Sequence, residues 1–230
     1  MSNLESNPVA PIHFVEQDLY EIRNKIYPRA VSGVFAYARL GMVLLTQLIF
    51  YGLPWLTWND RQAVLFDLVK RKFYIFGLVL WPQDIIYLTL LLILSALALF
   101  LFTAVAGRLF CGYACPQTVY TEIFLWIERY VEGDRLARIR LDNEKWPWSL
   151  RKLRLKMTKH FLWLVIAVWT GTTFVGYFTP MGELVQRILH LDLGIWPSFW
   201  LVFYSFATWG NAGFLREQVC KYMCPYARFQ

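Results

Sequence analysis

Charge is scarce in this sequence. Asp, Glu, Lys and Arg make up 17% of the 230 residues, whereas hydrophobic residues reach 57% and aromatics 18%, and that balance excludes an ordinary soluble domain. Histidine is scarcer still: His13 lies in the amino-terminal stretch, His160 at the edge of an apolar run and His190 in a later loop. A membrane haem reductase needs histidine pairs on facing helices, so three scattered histidines exclude it. The first thirty residues are polar and hold several acids instead of a basic start and an apolar run, so no cleavable signal peptide is expected in them. Cysteine occurs only four times, at Cys111, Cys115, Cys220 and Cys224.

What the sequence has is long uncharged runs. A helix rising ~1.5 Å per residue needs ~20 apolar residues to cross a ~30 Å hydrocarbon core. Residues 85–105 (IIYLTLLLILSALALFLFTAV) meet this outright. Residues 37–53 are shorter and contain Arg39 near their start, where the long stem can carry its charge to the headgroups. Residues 161–178 follow a basic stretch and end before Pro180, and residues 195–214 are uncharged although Asn211, glycine and proline interrupt them. The expected fold is an all-α membrane protein of about four transmembrane helices with interfacial amphipathic helices. In residues 63–82, Lys70, Arg71 and Lys72 divide two short apolar runs, and an interfacial or re-entrant hairpin is expected there.

Lys and Arg collect on alternate sides of these spans. Three precede residue 34, eleven lie between 108 and 160, and three follow 214, whereas the intervening loops hold five. By the positive-inside rule the tail (1–35), the long loop (107–160) and the carboxyl end of the membrane domain (36–230) face the cytoplasm. The basic run 135–159 abuts a span, which that rule already explains, so no nucleic-acid partner is inferred. Asp84 is placed to cap the helix beginning beside it, and Arg108 to act as an inside anchor or to offset charge near Cys111. Tryptophans near the span ends, such as Trp55, Trp81, Trp163 and Trp196, suit an aromatic belt.

The four cysteines form two copies of Cys-x-x-x-Cys-Pro, CGYACP and CKYMCP. Two spans separate the copies, which returns them to one face of the membrane. In a reducing compartment such pairs bind metal or do redox chemistry more often than they form disulfides. Pro116 suits a first helical position, and apolar residues at Val119, Ile123, Phe124, Ile127 and Val131 predict an amphipathic helix that ends at Gly133 with Cys115 at its amino-terminal cap. The dipole there stabilises a thiolate. Four thiolates suit an iron–sulfur cluster, cuprous copper or zinc, and spacing alone does not choose among them.

The stretches GRLFCGYACPQTVYTEIFLWIERYVEGDR, FGLVLWPQD, WSLRKLR, GYFTP and VCKYMCPYARFQ resemble, in order, the amino-terminal half of the CcoG/FixG/RdxA family of membrane polyferredoxins. The resemblance implies a bacterial cytoplasmic-membrane protein that assists maturation of cbb-type cytochrome oxidase, with Cu(II) reduced to Cu(I) for its copper-delivery factors and electrons drawn from a separate donor. It implies a 4Fe–4S cluster with Cys111, Cys115, Cys220 and Cys224 as the matching positions. It also implies two further cysteine-rich runs, another span and a periplasmic immunoglobulin-like domain, none of which lies before Gln230. A non-enzymatic copper-holding scaffold using the same four thiols is the competing expectation.

Overall fold

The computed structural model describes residues 27–28, 33–59, 61–107, 109–143, 149–190 and 192–224. Helix α1 (Val34–Gly52) opens the membrane domain. Helix α2 (Ile85–Ala106), 22 residues long, extends about 33 Å, enough to cross a hydrocarbon core. Among the described residues, two stretches are long and apolar enough to span a membrane, Val34–Trp55 and Pro82–Ala106, and none of the most apolar window of the second is buried inside the protein. A helix of Leu, Ile and Phe left bare on every side is stable only where its surroundings are apolar. The chain is a membrane protein on this ground.

Between these helices the chain is not helical. Strands β1 (Thr57–Trp58) and β2 (Arg61–Gln62) form one antiparallel pair, and β3 (Val64–Asp67), β4 (Lys72–Ile75) and β5 (Leu78–Leu80) form a three-stranded antiparallel sheet. The chain is otherwise helical, as expected, and residues 57–80 are the local exception, in which the expected hairpin is made of strands. Val, Ile, Phe and Tyr dominate β3 and β4 and favour a pleated surface, with Phe66 directly opposite Phe73. The Asp67 carboxylate accepts the Lys70 N–H at 2.9 Å and closes the turn that holds the basic residues. Phe76 (φ +51°) takes the left-handed position of the two-residue loop after Ile75, where glycine is usual. The apolar run thus conceals its turn.

One buried glutamine fastens this β-layer to the next helices, α6 (Leu150–Gly176) and α7 (Met181–Leu189). Gln62 Nε2 donates to the carbonyls of Val64 (2.9 Å) and Gly176 (2.8 Å), and Gln62 Oε1 accepts the Met181 N–H (3.1 Å). The side chain satisfies an orphan acceptor where α6 ends and an orphan donor where α7 begins. The Phe66 N–H adds a bond to the Tyr177 carbonyl at 2.8 Å.

Helices α6 and α8 (Ile195–Gly213) make the most extensive contact between elements. Small residues set their approach. A methyl group on Gly171 would meet Ser205 Oγ and would stand 2.9 Å from the Leu201 carbonyl, so the backbones cross where only glycine fits. At the other end of the crossing, Trp163 stacks on Phe124 (centroids 5.0 Å apart) and donates its indole N–H to the Phe124 carbonyl at 3.2 Å. Phe124 belongs to α4 (Pro116–Glu132), which packs against both helices. Replacing Gly171 by leucine should separate α6 from α8 and cost about 1–3 kcal/mol or more. Thermal unfolding in detergent checks this: a melting temperature unchanged from wild type would mean that the crossing does not depend on close approach.

Candidate metal centre

Proline dictates the local geometry of the first cysteine turn. The residue before proline is pushed out of the helical region, and proline itself suits a first helical position because it has no N–H to satisfy. Cys111 lies in the short helix α3 (Leu109–Tyr113). Cys115 is extended (φ −63°, ψ 127°) and is the N-cap residue of α4, with its thiol near the positive end of the dipole. The N–H groups of Ala114 and Cys115 both donate to the Phe110 carbonyl at 3.0 Å. Thr118 Oγ1 donates to the Cys111 carbonyl at 2.6 Å, and Arg39 Nε donates to the Gly112 carbonyl at 3.1 Å. Arg39 also lies 3.6 Å from the Glu122 carboxylate. Its charge thus serves the cysteine turn and α4 rather than a lipid headgroup.

The second turn repeats the first. Cys220 lies in a single π-helical turn, Val219–Met223, and Cys224 follows in extended geometry (φ −83°, ψ 110°), its N–H donating to the Val219 carbonyl at 2.9 Å. None of the four cysteines is in a disulfide; Cys220 is exposed and the other three are half-buried. Burial pushes the Cys220 thiol above its ordinary value, and the charges of Cys115, Cys224 and Cys111 push it further. Each of the other three thiols thus lies near enough to Cys220 for its charge to act there. Among the described residues, no three His, Cys, Asp or Glu side chains stand at the spacing a single metal ion needs.

Helix α4 joins the two turns. Gln117, two residues after Cys115, donates through Nε2 to the carbonyls of Asn211 (3.0 Å) and Arg216 (3.5 Å). Three turns further along, the Glu128 carboxylate accepts Arg216 Nη1 at 3.1 Å and Arg138 Nη1 at 3.3 Å, with Lys159 Nζ at 3.6 Å. Lys159 Nζ also meets Glu132 at 2.8 Å, and Lys156 Nζ bridges Glu132 (3.1 Å) and Asp142 (2.7 Å). Asp142 lies on α5 (Arg135–Asn143). The polar face of α4, expected to be solvated, is instead buried at Glu128 and Glu132 against the basic start of α6.

These charges show in the titration of the groups. Burial pushes the Glu128 carboxyl up, but the hydrogen bond and charge of Arg216, with Lys159 and Arg138, outweigh it and hold the group below its ordinary value of 4.5. Burial lowers Lys156, yet Asp142 and Glu132 more than restore it, so that lysine is raised. For Lys159 burial prevails over Glu132 and Glu128, and its value is lowered. A carboxyl depressed by folding contributes stability that is present above its unfolded value and is lost as pH falls through its folded one. Cluster-free protein should accordingly lose thermal stability as pH drops below the ordinary carboxylate range. Glu128→Gln should be less stable at neutral pH and show a flatter acid limb; parallel limbs would remove Glu128 from the network.

His160 is away from the cysteines. It stacks on Phe214 (5.8 Å) and meets Trp163 edge-on (5.2 Å), and its buried Nδ1 has no hydrogen-bond partner. His190 follows the last turn of α7 and is exposed. Asp84 occupies the N-cap position of α2 without bonding into that helix; its carboxylate accepts the Trp81 N–H at 3.0 Å and closes the preceding turn. Arg108 and His13 lie outside the described residues. Arg39, Gln117, Glu128 and Arg216 were not singled out from the sequence as site residues, because they act on backbone carbonyls and on partners distant in the chain.

The fold and its paired turns define a helical membrane protein with a thiol-rich site. A family model described as a 4Fe-4S binding domain matches residues 88–132, which contain Cys111 and Cys115. The chain is 42% identical over 221 residues to the nitrogen fixation protein FixG of Rhizobium meliloti, covering 94% of this chain and 42% of that one. It is 42% identical over 217 residues to protein RdxB of Cereibacter sphaeroides (92% and 45%), and 40% identical over 223 residues to protein RdxA of the same organism (94% and 47%). It belongs to the FixG/RdxA-type family and spans less than half the length of these curated relatives. No solved structure matches it.

Proposed function

We propose that Cys111, Cys115, Cys220 and Cys224 bind one 4Fe–4S cluster at the cytoplasmic face of a four-span domain in the bacterial inner membrane, and that the domain relays single electrons. One observation supports this above the others: a 4Fe-4S binding domain model covers Cys111 and Cys115, and the turn at Cys220 and Cys224 likewise ends in an extended cysteine. The donor set fits a cluster. Tetrahedral zinc with Zn–S of about 2.3 Å needs its sulfurs about 3.8 Å apart, whereas the irons and sulfides of a cluster spread its thiolates more widely. When bound, such a cluster takes up and releases one electron at a time.

The protein's own groups have distinct parts. Cys115 presents its sulfur at the α4 amino terminus, where the dipole favours the thiolate. Arg39 and Thr118 fix the backbone of the turn before it, at the Gly112 and Cys111 carbonyls, and exposed Cys220 leaves one edge open to a donor or acceptor. The acceptor we propose is Cu(II), reduced by one electron to Cu(I) for maturation of a cbb-type oxidase, with the electron replaced by a separate cellular donor.

The spans are α1, α2, the apolar half of α6 (161–178) and α8. The last two lie between the cysteine turns and so return the chain to one side; the excess of Lys and Arg assigns that side to the cytoplasm. Protein purified without oxygen should contain iron and acid-labile sulfide in equal amounts, with broad visible absorption bleached by dithionite and abolished by Cys115→Ser. Colourless protein with stoichiometric copper would overturn the cluster in favour of a copper-holding scaffold. Impermeant thiol reagents should modify Cys220 of cluster-free protein in inverted membrane vesicles and not in intact spheroplasts; the reverse pattern would overturn the orientation.

A further inference from the structure

Among the described residues, no long helix adjoins the second cysteine turn as α4 adjoins the first. What precedes it is an arginine held at two points by the helix that begins at the first turn. The Arg216 carbonyl accepts Gln117 Nε2 near the start of α4, and the Arg216 guanidinium reaches Glu128, 11 residues beyond Gln117 or about 16 Å along the helix. The same guanidinium lies over the Trp163 ring at 5.3 Å, and Arg216 Nε donates to the Ala212 carbonyl at 2.9 Å. Phe214, two residues earlier, is wedged between His160 and Trp209. Attachment at one point would let the segment pivot, whereas attachment at two fixes both its position and its direction.

We propose that Arg216, clamped by Gln117 and Glu128, is the positioning residue that sets the separation of the two Cys-x-x-x-Cys pairs. The inference deepens the cluster reading, since the separation it sets is that of the proposed ligands, but the geometry exists without a cluster and can be measured without one. Glu128 suits the task because Arg138 shares its Oε2 with Arg216 and Lys159 reaches its Oε1, so Arg216 docks on a carboxylate that other partners already hold. Lysine at position 216 would keep the charge and lose the fork that reaches Glu128 and Ala212 together.

The test uses the full chain with Cys111→Ser and Cys224→Ser, which leaves one thiol per turn and no cluster. A short bis-maleimide should join Cys115 to Cys220 in high yield. Arg216→Ala should cut the yield on the order of tenfold, the ratio that a 1.4 kcal/mol change in the docked population produces. Arg216→Lys should recover part of it, while helix content by circular dichroism stays at the parent level. Should Arg216→Ala fail to accumulate, Glu128→Gln, which preserves side-chain shape, reads the same quantity with a smaller loss. Unchanged yield in these variants overturns the proposal, even if the four-cysteine protein binds iron. High yield in the parent and loss in the variants supports it, even if iron is absent.

Discussion

A carboxylate taken out of water costs several kcal/mol unless cations and hydrogen bonds replace the solvent, and Glu128 is such a group. Arg138, Lys159 and Arg216 reach it from α5, α6 and the segment after α8. It can be charged only where those three elements meet, so its burial is a condition on the whole cytoplasmic end of the domain. Apolar side chains of similar volume could supply as much stability, but they would accept a slid or rotated helix more readily than a forked ion pair does. What the charges contribute is register. They fix the rotation of α4 about its axis, and the cap of α4 is Cys115.

Glycine and tryptophan do the corresponding work inside the apolar layer. Without a hydrophobic drive between helices in lipid, close backbone approach and polar contacts determine association. Gly171 against Ser205 provides the first, and the Trp163 indole N–H on the Phe124 carbonyl the second. Trp163 was expected to be a belt residue. Instead it is buried, with Lys159 and Arg216 over its ring at 4.9 and 5.3 Å, so it joins the apolar crossing to the ion network above it.

Much of this was legible in the amino acids. Proline after cysteine, with the apolar stripe from Val119 to Val131 and glycine at 133, locates α4 and its cap; these are local signals, and α4 runs Pro116–Glu132 with Gly133 at φ +86°. The uncharged run 85–105 locates α2. The sheet at 57–80 was hard to read because Arg71 and Phe76 take positive φ where glycine is usual, and its strands are two to four residues long, so that Asn59 and Gly77 were the only turn signals. Nor were the partners of Glu128 legible. Arg216 lies 88 residues away, and Lys159 belongs to a basic run that orientation alone explains. A positive-inside count and an ion pair draw on the same lysines, and sequence cannot divide them.

Among the described ion pairs of this network, Glu128, Glu132 and Asp142 meet Arg138, Lys156, Lys159 and Arg216, three carboxylates to four cations. A domain seeking stability alone would match the numbers, since like charges in a partly dry interface repel. Lys159 is lowered first by burial, and the neighbouring charge of Lys156 adds to that lowering. An uncompensated cation becomes favourable when an anionic group lies within range of it in a medium less polar than water. The cysteine turns tied down by this network would supply such a group once their thiols are ionised around iron. By this argument the charge surplus and the thiol cluster are two halves of one electrostatic arrangement, with α4 as the shared axis.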